Sequence, residues 1–289
     1  MHLMIFGAGY TGQFIADEAL KAGIQISGTT RSETNFPILN NKGISSVIFA
    51  NKQINSVLQK KLYSTTHIVQ CIEPENTGDP LIMSMGEDFY KLVPNLKWIG
   101  YLSSTSVYGN REGQWVDENS FIYPISCIAT KRFNAEKEWL SIAKKLNVKL
   151  AILRLSGIYG EGRNPFIKIK QKTSVRLIKK NQVFNRIRVE DIARAVFFFT
   201  NHNIGGIFNI SDDEPAPSQD VITEAASIMN VIPPPEKYFD TTYISPTTRF
   251  FYADNKRISN AKIKSLGFNF LYPNYRISLK QLWKQIKSI

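Results

Sequence analysis

The residues Gly7-Ala8-Gly9-Tyr10-Thr11-Gly12 constrain the fold more than any other part of the chain. They follow the apolar run Leu3-Met4-Ile5-Phe6 directly and open an amphipathic stretch over 10–22. Turning a strand into a helix within so few residues needs backbone that only glycine supplies freely. The first glycine permits the tight turn, the second lets main chain approach a pyrophosphate, and the third lets helix pack on strand. The helix start then offers N–H donors and partial positive charge to phosphate. Gly7, Ala8, Gly9, Tyr10, Thr11 and Gly12 are therefore candidate dinucleotide contacts. The alternative is a turn that keeps this shape without a ligand.

The rest of the first half repeats the alternation. Apolar runs predict strands over 3–6, 24–28, 46–49, 67–72, 98–103 and 148–155, with helices over 10–22, 53–62, 79–93 and 126–145. Such alternation implies an α/β fold, a doubly wound parallel sheet of the Rossmann kind covered by helices on both faces. After Leu155 the pattern changes. A turn-rich stretch leads to a helix over 190–200, a strand over 206–210 and helices near 217–230 and 275–288. The chain divides into a dinucleotide-binding domain, 1–160 with 185–212 returning to it, and a smaller C-terminal α/β substrate cap, 161–184 with 213–289. A pocket between sheet and cap is expected.

The tip of the second strand should meet the adenosine ribose. An NAD site places Asp or Glu there. This chain instead reads Gly28-Thr29-Thr30-Arg31-Ser32. Arg31 suits a ribose 2′-phosphate, with Thr30 and Ser32 as hydroxyl donors. The cofactor expectation is NADP ahead of NAD, with Glu33 the one nearby acid that favours NAD.

Charge and cysteine content narrow the setting. Among 289 residues there are 36 basic and 24 acidic, a net charge of +12. The excess lies in the second half, and residues 163–188 hold nine basic residues and no acid. That stretch reads as a solvated cationic face or as the surroundings of an anionic substrate. Docking of an acidic partner or nucleic acid is the weaker reading, because no nucleic-acid motif accompanies the charge. Two cysteines exclude a disulfide framework, and scattered His and Cys give no metal-ligand spacing. No apolar run reaches the ~18 residues of a membrane span, and no signal-peptide pattern precedes the first strand. A cytoplasmic monomer or homodimer acting on a small molecule is expected, without metal or membrane. Trp98, Trp115, Trp139 and Trp283 are expected to pack in core or cap.

Several segments together resemble one family. Tyr101-Leu102-Ser103-Ser104-Thr105-Ser106-Val107-Tyr108-Gly109 is similar to a segment of the extended short-chain dehydrogenase/reductases, the group that includes the NAD-dependent epimerase/dehydratases. The runs from Leu153 to Pro165, from Asn185 to Ala193 and from Asn209 to Pro215 match as well. The segment from Arg249 to Ala261 is similar to an atypical bacterial branch of it. In this family a Ser or Thr, a Tyr and a Lys carry the chemistry, the last two spaced four residues apart on one helix face. The Lys lowers the phenol's pKa and holds the nicotinamide ribose, and the Tyr passes a proton as hydride moves.

The resemblance puts Ser104 at the Ser/Thr position and breaks at the Tyr. The helix reads Ser126-Cys127-Ile128-Ala129-Thr130-Lys131-Arg132-Phe133-Asn134-Ala135-Glu136. One register pairs Arg132 with Ile128, the other Lys131 with Cys127, and neither supplies a phenol. Adjacent helix residues point about 100° apart, so only one of the two cations can take the family position. Ser104, Cys127, Lys131 and Arg132 are the candidate catalytic residues, with Tyr108, Tyr123 and Tyr159 as weaker substitutes for the missing phenol.

The resemblance also implies cofactor contacts at Glu73, Ser103, Ser156, Gly157 and Ile158. It implies substrate contacts at Tyr159, Arg163, Asn164, Arg186 and Arg249, which suit an anionic ligand. The expected function is an NADP-binding oxidoreductase or epimerase/dehydratase-like enzyme acting on a small molecule. The alternative is a catalytically inactive NADP-binding sensor or regulatory protein, which the missing Tyr favours.

Overall fold

The computed structural model describes residues 1–287; the last position of the helix expected to 288 lies outside them. The first half comprises β1 (His2–Phe6), α1 (Tyr10–Lys21), β2 (Gln25–Thr30), α2 (Phe36–Asn41), β3 (Ser45–Ile48), α3 (Ser56–Ser64), β4 (His67–Gln70), α4 (Pro80–Met85), α5 (Phe89–Leu92) and β5 (Trp98–Ser104). Then come β6 (Trp115–Val116), α6 (Cys127–Leu146), β7 (Lys149–Leu155), β8 (Gly157–Tyr159), α7 (Pro165–Lys170), β9 (Arg176–Ile178) and β10 (Arg186–Arg188). The chain ends with α8 (Val189–Asn201), β11 (Gly206–Ile210), α9 (Ser218–Met229), β12 (Glu236–Tyr238), α10 (Pro246–Tyr252), β13 (Arg257–Ile258), α11 (Ala261–Ser265) and α12 (Tyr275–Lys287).

Seven strands form one parallel sheet in the order β11-β7-β5-β4-β1-β2-β3. This is the expected doubly wound α/β fold. Strand order reverses at β1, which pairs with β2 through Leu3 and Ile26 and with β4 through Leu3 and His67. In open parallel sheets a ligand crevice forms at such a switch point, beyond the carboxyl ends of the strands. The Gly7–Gly12 turn lies at the carboxyl end of β1.

Contacts divide the chain into two compact units. One comprises 1–107, 126–154 and 192–208, and the other 108–125, 155–191 and 209–289. The first contains most of the large sheet. Trp139 is fully buried in its core, stacked on Tyr101 with ring centroids 6.2 Å apart and meeting Phe89 edge-on at 5.9 Å. Trp98 is also fully buried, and its Nε1 donates to the Ile204 carbonyl. The second unit contains three short parallel strand pairs, β6 with β13, β8 with β10 and β9 with β12. Its main apolar cluster brings Phe166, Val221, Ala225, Tyr275 and Leu279 together. Trp115 departs from the core expectation and is 59% exposed.

Local chemistry fixes the helices. Asn55 caps α3, its side chain accepting from Leu58 N, so that helix starts later than its apolar pattern implies. Ser126 caps α6 by accepting from Ala129 N, and Asn147 ends it in the left-handed conformation at φ 53°. The single helix expected over 79–93 is two short helices, because Gly86 at φ +51° terminates α4 and a 3-10 turn leads into α5.

Candidate functional site

In the first unit the glycine turn has the geometry its spacing predicts. Gly7 sits at φ +83°, and its N–H donates to Thr29 Oγ1 at 2.8 Å. Ala8 N donates to the Thr29 carbonyl, which ties the turn to β2. A Cβ on Gly12 would lie 2.7 Å from the Gly7 carbonyl oxygen, so that glycine is required for packing. A Cβ on Gly9 would meet nothing within 4 Å. The space beside Gly9 is what close approach of a pyrophosphate requires. No side chain caps α1, so its N-terminus offers first-turn N–H donors at this end of the turn. Open space and an uncapped helix N-terminus together fit a dinucleotide phosphate.

The β2 tip is an ordered loop. Thr30 Oγ1 accepts from Asn35 Nδ2 at 3.0 Å, and Ser32 Oγ accepts from Thr34 N to cap a short 3-10 turn. The Ser32 hydroxyl is thus engaged within its own turn. Arg31 between them is exposed, with no hydrogen-bond or ion-pair partner among the described residues. Glu33 follows it in the 3-10 turn, also exposed.

The β5–α6 region distinguishes the two cations. Arg132 turns toward the sheet, and its Nη1 donates to the Leu102 carbonyl at 2.9 Å. Lys131 lies about a quarter-turn round the helix and is part-exposed. Ser104 ends β5, and its Oγ accepts from Ser106 N at 3.1 Å. Cys127 is exposed as the first residue of α6, and Ile128 beside it is 50% exposed. The Ser103 hydroxyl points into the interior and donates to Glu136 Oε1 at 2.5 Å. Glu73 is exposed beyond β4.

A polar network beneath these residues carries no sequence motif. Glu136 lies one turn beyond Arg132 and is 1% exposed. Arg154 grips it with two nitrogens, Nε to Oε1 at 3.1 Å and Nη2 to Oε2 at 2.7 Å. Asp79 accepts from Gln70 Nε2, Trp139 Nε1 and Leu81 N, and burial raises its pKa while those donors oppose the shift. Burial pushes the Cys71 thiol up to about 12, against the pull of the Arg132 charge. Arg154 could have been flagged in the sequence as a charge inside an apolar strand, which demands a buried partner.

In the second unit, Tyr108 is fully buried and its hydroxyl donates to Asn209 Oδ1 at 2.7 Å. Tyr123 is 60% exposed, and its carbonyl occupies the space a Cβ on Gly109 would need. Tyr159 lies opposite Arg188 in the β8–β10 pair, and Arg186 opposite Gly157. Arg186 Nη1 donates to the carbonyls of Phe184 and Ala216, both at 2.9 Å. Ser156 is buried with its hydroxyl unpartnered; Gly157 is exposed and Ile158 part-buried. Asn164 Nδ2 donates to the Gly160 carbonyl. Arg163 and Arg249 are exposed, and the Arg249 guanidinium lies over the Phe239 ring at 5.6 Å. Arg249 is thus apart from Tyr159 and Arg186 in its contacts. Among the described residues no cluster of three metal-ligating side chains occurs, and no helix is long and apolar enough to cross a membrane.

Residues 94–211 match the NAD dependent epimerase/dehydratase family. Over 125 residues, 38% of this chain, the sequence is 29% identical to an ADP-L-glycero-D-manno-heptose-6-epimerase from Brachyspira hyodysenteriae; the match spans 39% of that protein's length. The fold is similar to that of a conserved protein of unknown function from Silicibacter pomeroyi DSS, at 35% identity and TM-score 0.91, covering 98% of each chain. It is also similar to a UDP-glucuronic acid 4-epimerase from Bacillus cereus in complex with NAD, at 15% identity and TM-score 0.76, covering 100% of this chain and 97% of that one.

Proposed function

From the match of residues 94–211 to the NAD dependent epimerase/dehydratase family, we propose that this chain is an NADP-binding oxidoreductase or epimerase/dehydratase-like enzyme acting on a small anionic molecule. One observation carries the cofactor reading. The ordered β2 tip exposes Arg31, where an NAD site would place a carboxylate. A guanidinium attracts a 2′-phosphate that a carboxylate would repel. The open space at Gly9 and the uncapped N-terminus of α1 serve the pyrophosphate. Bound nicotinamide would supply a hydride donor or acceptor.

In this proposal Ser104 orients a substrate oxygen. Arg132, anchored on the Leu102 carbonyl, presents fixed positive charge and N–H donors to the ribose. Thr30, Ser32, Glu73, Ser103, Ser156, Gly157 and Ile158 remain proposed cofactor contacts, Ser103 through its main chain because its hydroxyl is committed to Glu136. Tyr159, Arg163, Asn164, Arg186 and Arg249 remain proposed substrate contacts. Cys127 and Lys131 are the less favoured catalytic candidates.

Calorimetric titration with NADPH and NADH tests the reading. NADPH should bind more tightly, and Arg31→Ala should weaken NADPH by about tenfold or more while leaving NADH unchanged, as expected for losing a charged hydrogen bond. Equal affinities, or an equal effect of Arg31→Ala on both, would overturn it. The absence of a phenol at positions 127 and 128 favours the second reading, an NADP-binding sensor without catalysis. Turnover in a broad substrate panel would end that alternative.

A further inference from the structure

The second unit contains a group of polar side chains that its own fold leaves unmatched. Asp212 is 1% exposed; its Oδ1 accepts from Glu214 N, and its Oδ2 has no hydrogen-bond partner among the described residues. Tyr275 is fully buried with its hydroxyl unpartnered. The Tyr159 hydroxyl lies near Ser278 without a hydrogen bond of sound geometry. All three act electrostatically on one cation, Arg186. Main-chain bonding holds two of the four together, since Asp212 N donates to the Arg186 carbonyl at 2.8 Å.

Buried polar groups in folded proteins nearly always find partners, so several orphans around one cation need an explanation. Packing alone gives none. A phenylalanine at 275 would fill the same apolar contacts with Phe166 and Leu279 at no polar cost. The Arg186 guanidinium is anchored at one corner only, where Nη1 donates to two carbonyls. Its Nε–Nη2 edge has no acceptor among the described residues. That edge offers two parallel N–H donors, the geometry that receives both oxygens of a carboxylate. Asp212 does not serve as its counter-charge, because burial pushes that carboxyl up to about 8 despite the neighbouring guanidinium. A carboxyl near neutrality can donate to, or accept from, a hydroxyl.

We propose that Tyr159, Arg186, Asp212 and Tyr275 form a binding site for a small hydroxycarboxylate. The ligand's carboxylate sits on the Nε–Nη2 edge of Arg186 and accepts from the Tyr159 and Tyr275 hydroxyls. A ligand hydroxyl pairs with Asp212 Oδ2. This deepens the reading of a small anionic substrate given above, and it assigns two residues, Asp212 and Tyr275, that were not among the expected substrate contacts.

The test is calorimetry on the full chain without dinucleotide. The probes are D-gluconate, D-glucuronate and L-malate, with D-glucose, succinate and D-glucose 6-phosphate as controls. At least one hydroxycarboxylate should bind more tightly than glucose, which lacks the carboxylate, and than succinate, which lacks the hydroxyl. Tyr275→Phe should retain the fold, because it removes only an unpartnered hydroxyl, and should weaken that probe about three- to tenfold. Arg186→Lys keeps the charge but loses the paired donors, and should weaken it about tenfold or more. The proposal fails if none of the three probes binds, if glucose 6-phosphate binds best, or if Tyr275→Phe leaves affinity unchanged. A chain that binds NADPH through Arg31 but none of these acids keeps the cofactor reading and loses this one. Acid binding without NADPH binding does the reverse.

Discussion

Replacing Glu136 by Gln tests whether the buried network under α6 is built on charge. Glu136 and Arg154 are 1% and 2% exposed, joined by two nitrogen–oxygen contacts of 3.1 and 2.7 Å, with the Ser103 hydroxyl a third donor to the carboxylate. Gln keeps the shape and one acceptor oxygen but removes the negative charge that faces the buried Arg154 guanidinium. Removing one partner of a buried pair costs about 3–5 kcal/mol, whereas replacing both by apolar residues of similar volume is near neutral. Glu136→Gln should therefore lower unfolding free energy by about 3–5 kcal/mol, and Arg154→Met by a similar amount. The double variant Glu136→Met/Arg154→Met should recover all but about 1–2 kcal/mol of the native value, a coupling that cannot arise from independent sites. Urea unfolding followed by Trp fluorescence and by circular dichroism measures this, coincidence of the two transitions licensing a two-state reading. A loss below about 1 kcal/mol for Glu136→Gln, or single losses that simply add in the double variant, would refute the argument.

Three further outcomes follow from the glycine turn and the sheet. Gly12→Ala, whose Cβ would lie 2.7 Å from the Gly7 carbonyl, should destabilise the chain by about 1–3 kcal/mol. Gly9→Ala meets no protein atom within 4 Å, so it should stay within about 1 kcal/mol of native stability while losing tenfold or more in dinucleotide affinity; thermal melts and NADPH titration separate the two. His67 is 9% exposed, and burial lowers its pKa from 6.5 to about 4. Below pH 6.5 the unfolded chain takes up a proton that the folded chain refuses until about pH 4, so stability falls with acidification across that window, by at most about 3 kcal/mol. His67→Gln should flatten that part of the pH–stability profile, and an unchanged slope would assign the acid sensitivity elsewhere.

The large sheet was legible because its strands are buried runs spaced by amphipathic helices. Burial of all of β1 and β4 leaves no polar alternation to obscure them. The helix over 79–93 misled because its apolar pattern continues through Gly86, where positive φ breaks the backbone without interrupting the hydrophobic face. The strand pairs of the second unit escaped for a different reason. At two or three residues each they are too short to show a period, and β9 pairs with β12 some 60 residues away. Asp212 and Tyr275 were invisible for the same physical reason. Their meaning comes from Arg186, which lies close to them in space and far from them in sequence.

The α6 helix combines what the family pattern implies with what this chain changes. Positions 128, 132 and 136 lie about a turn apart, and the structure uses them in graded depth: Ile128 half exposed, Arg132 bonded to a β5 carbonyl, Glu136 sealed beneath. A lysine at 132 would bring a compact ammonium with three rotatable donors. The guanidinium is instead held at one corner by Nη1 on the Leu102 carbonyl. Such a group holds a ribose or an anionic oxygen well, but it does not deliver a proton at neutral pH. Ile128 has none to deliver. If this chain turns over a substrate, α6 therefore supplies binding and electrostatic orientation, and the proton has to come from elsewhere. The exposed Cys127 thiol, at the start of α6, is one candidate acid, and Ser104 with a bound water is a route that needs no acid on the helix. Cys127→Ser separates them. Turnover retained in that variant and lost in Ser104→Ala, with NADPH affinity intact in both, would place the proton's path on the β5 side.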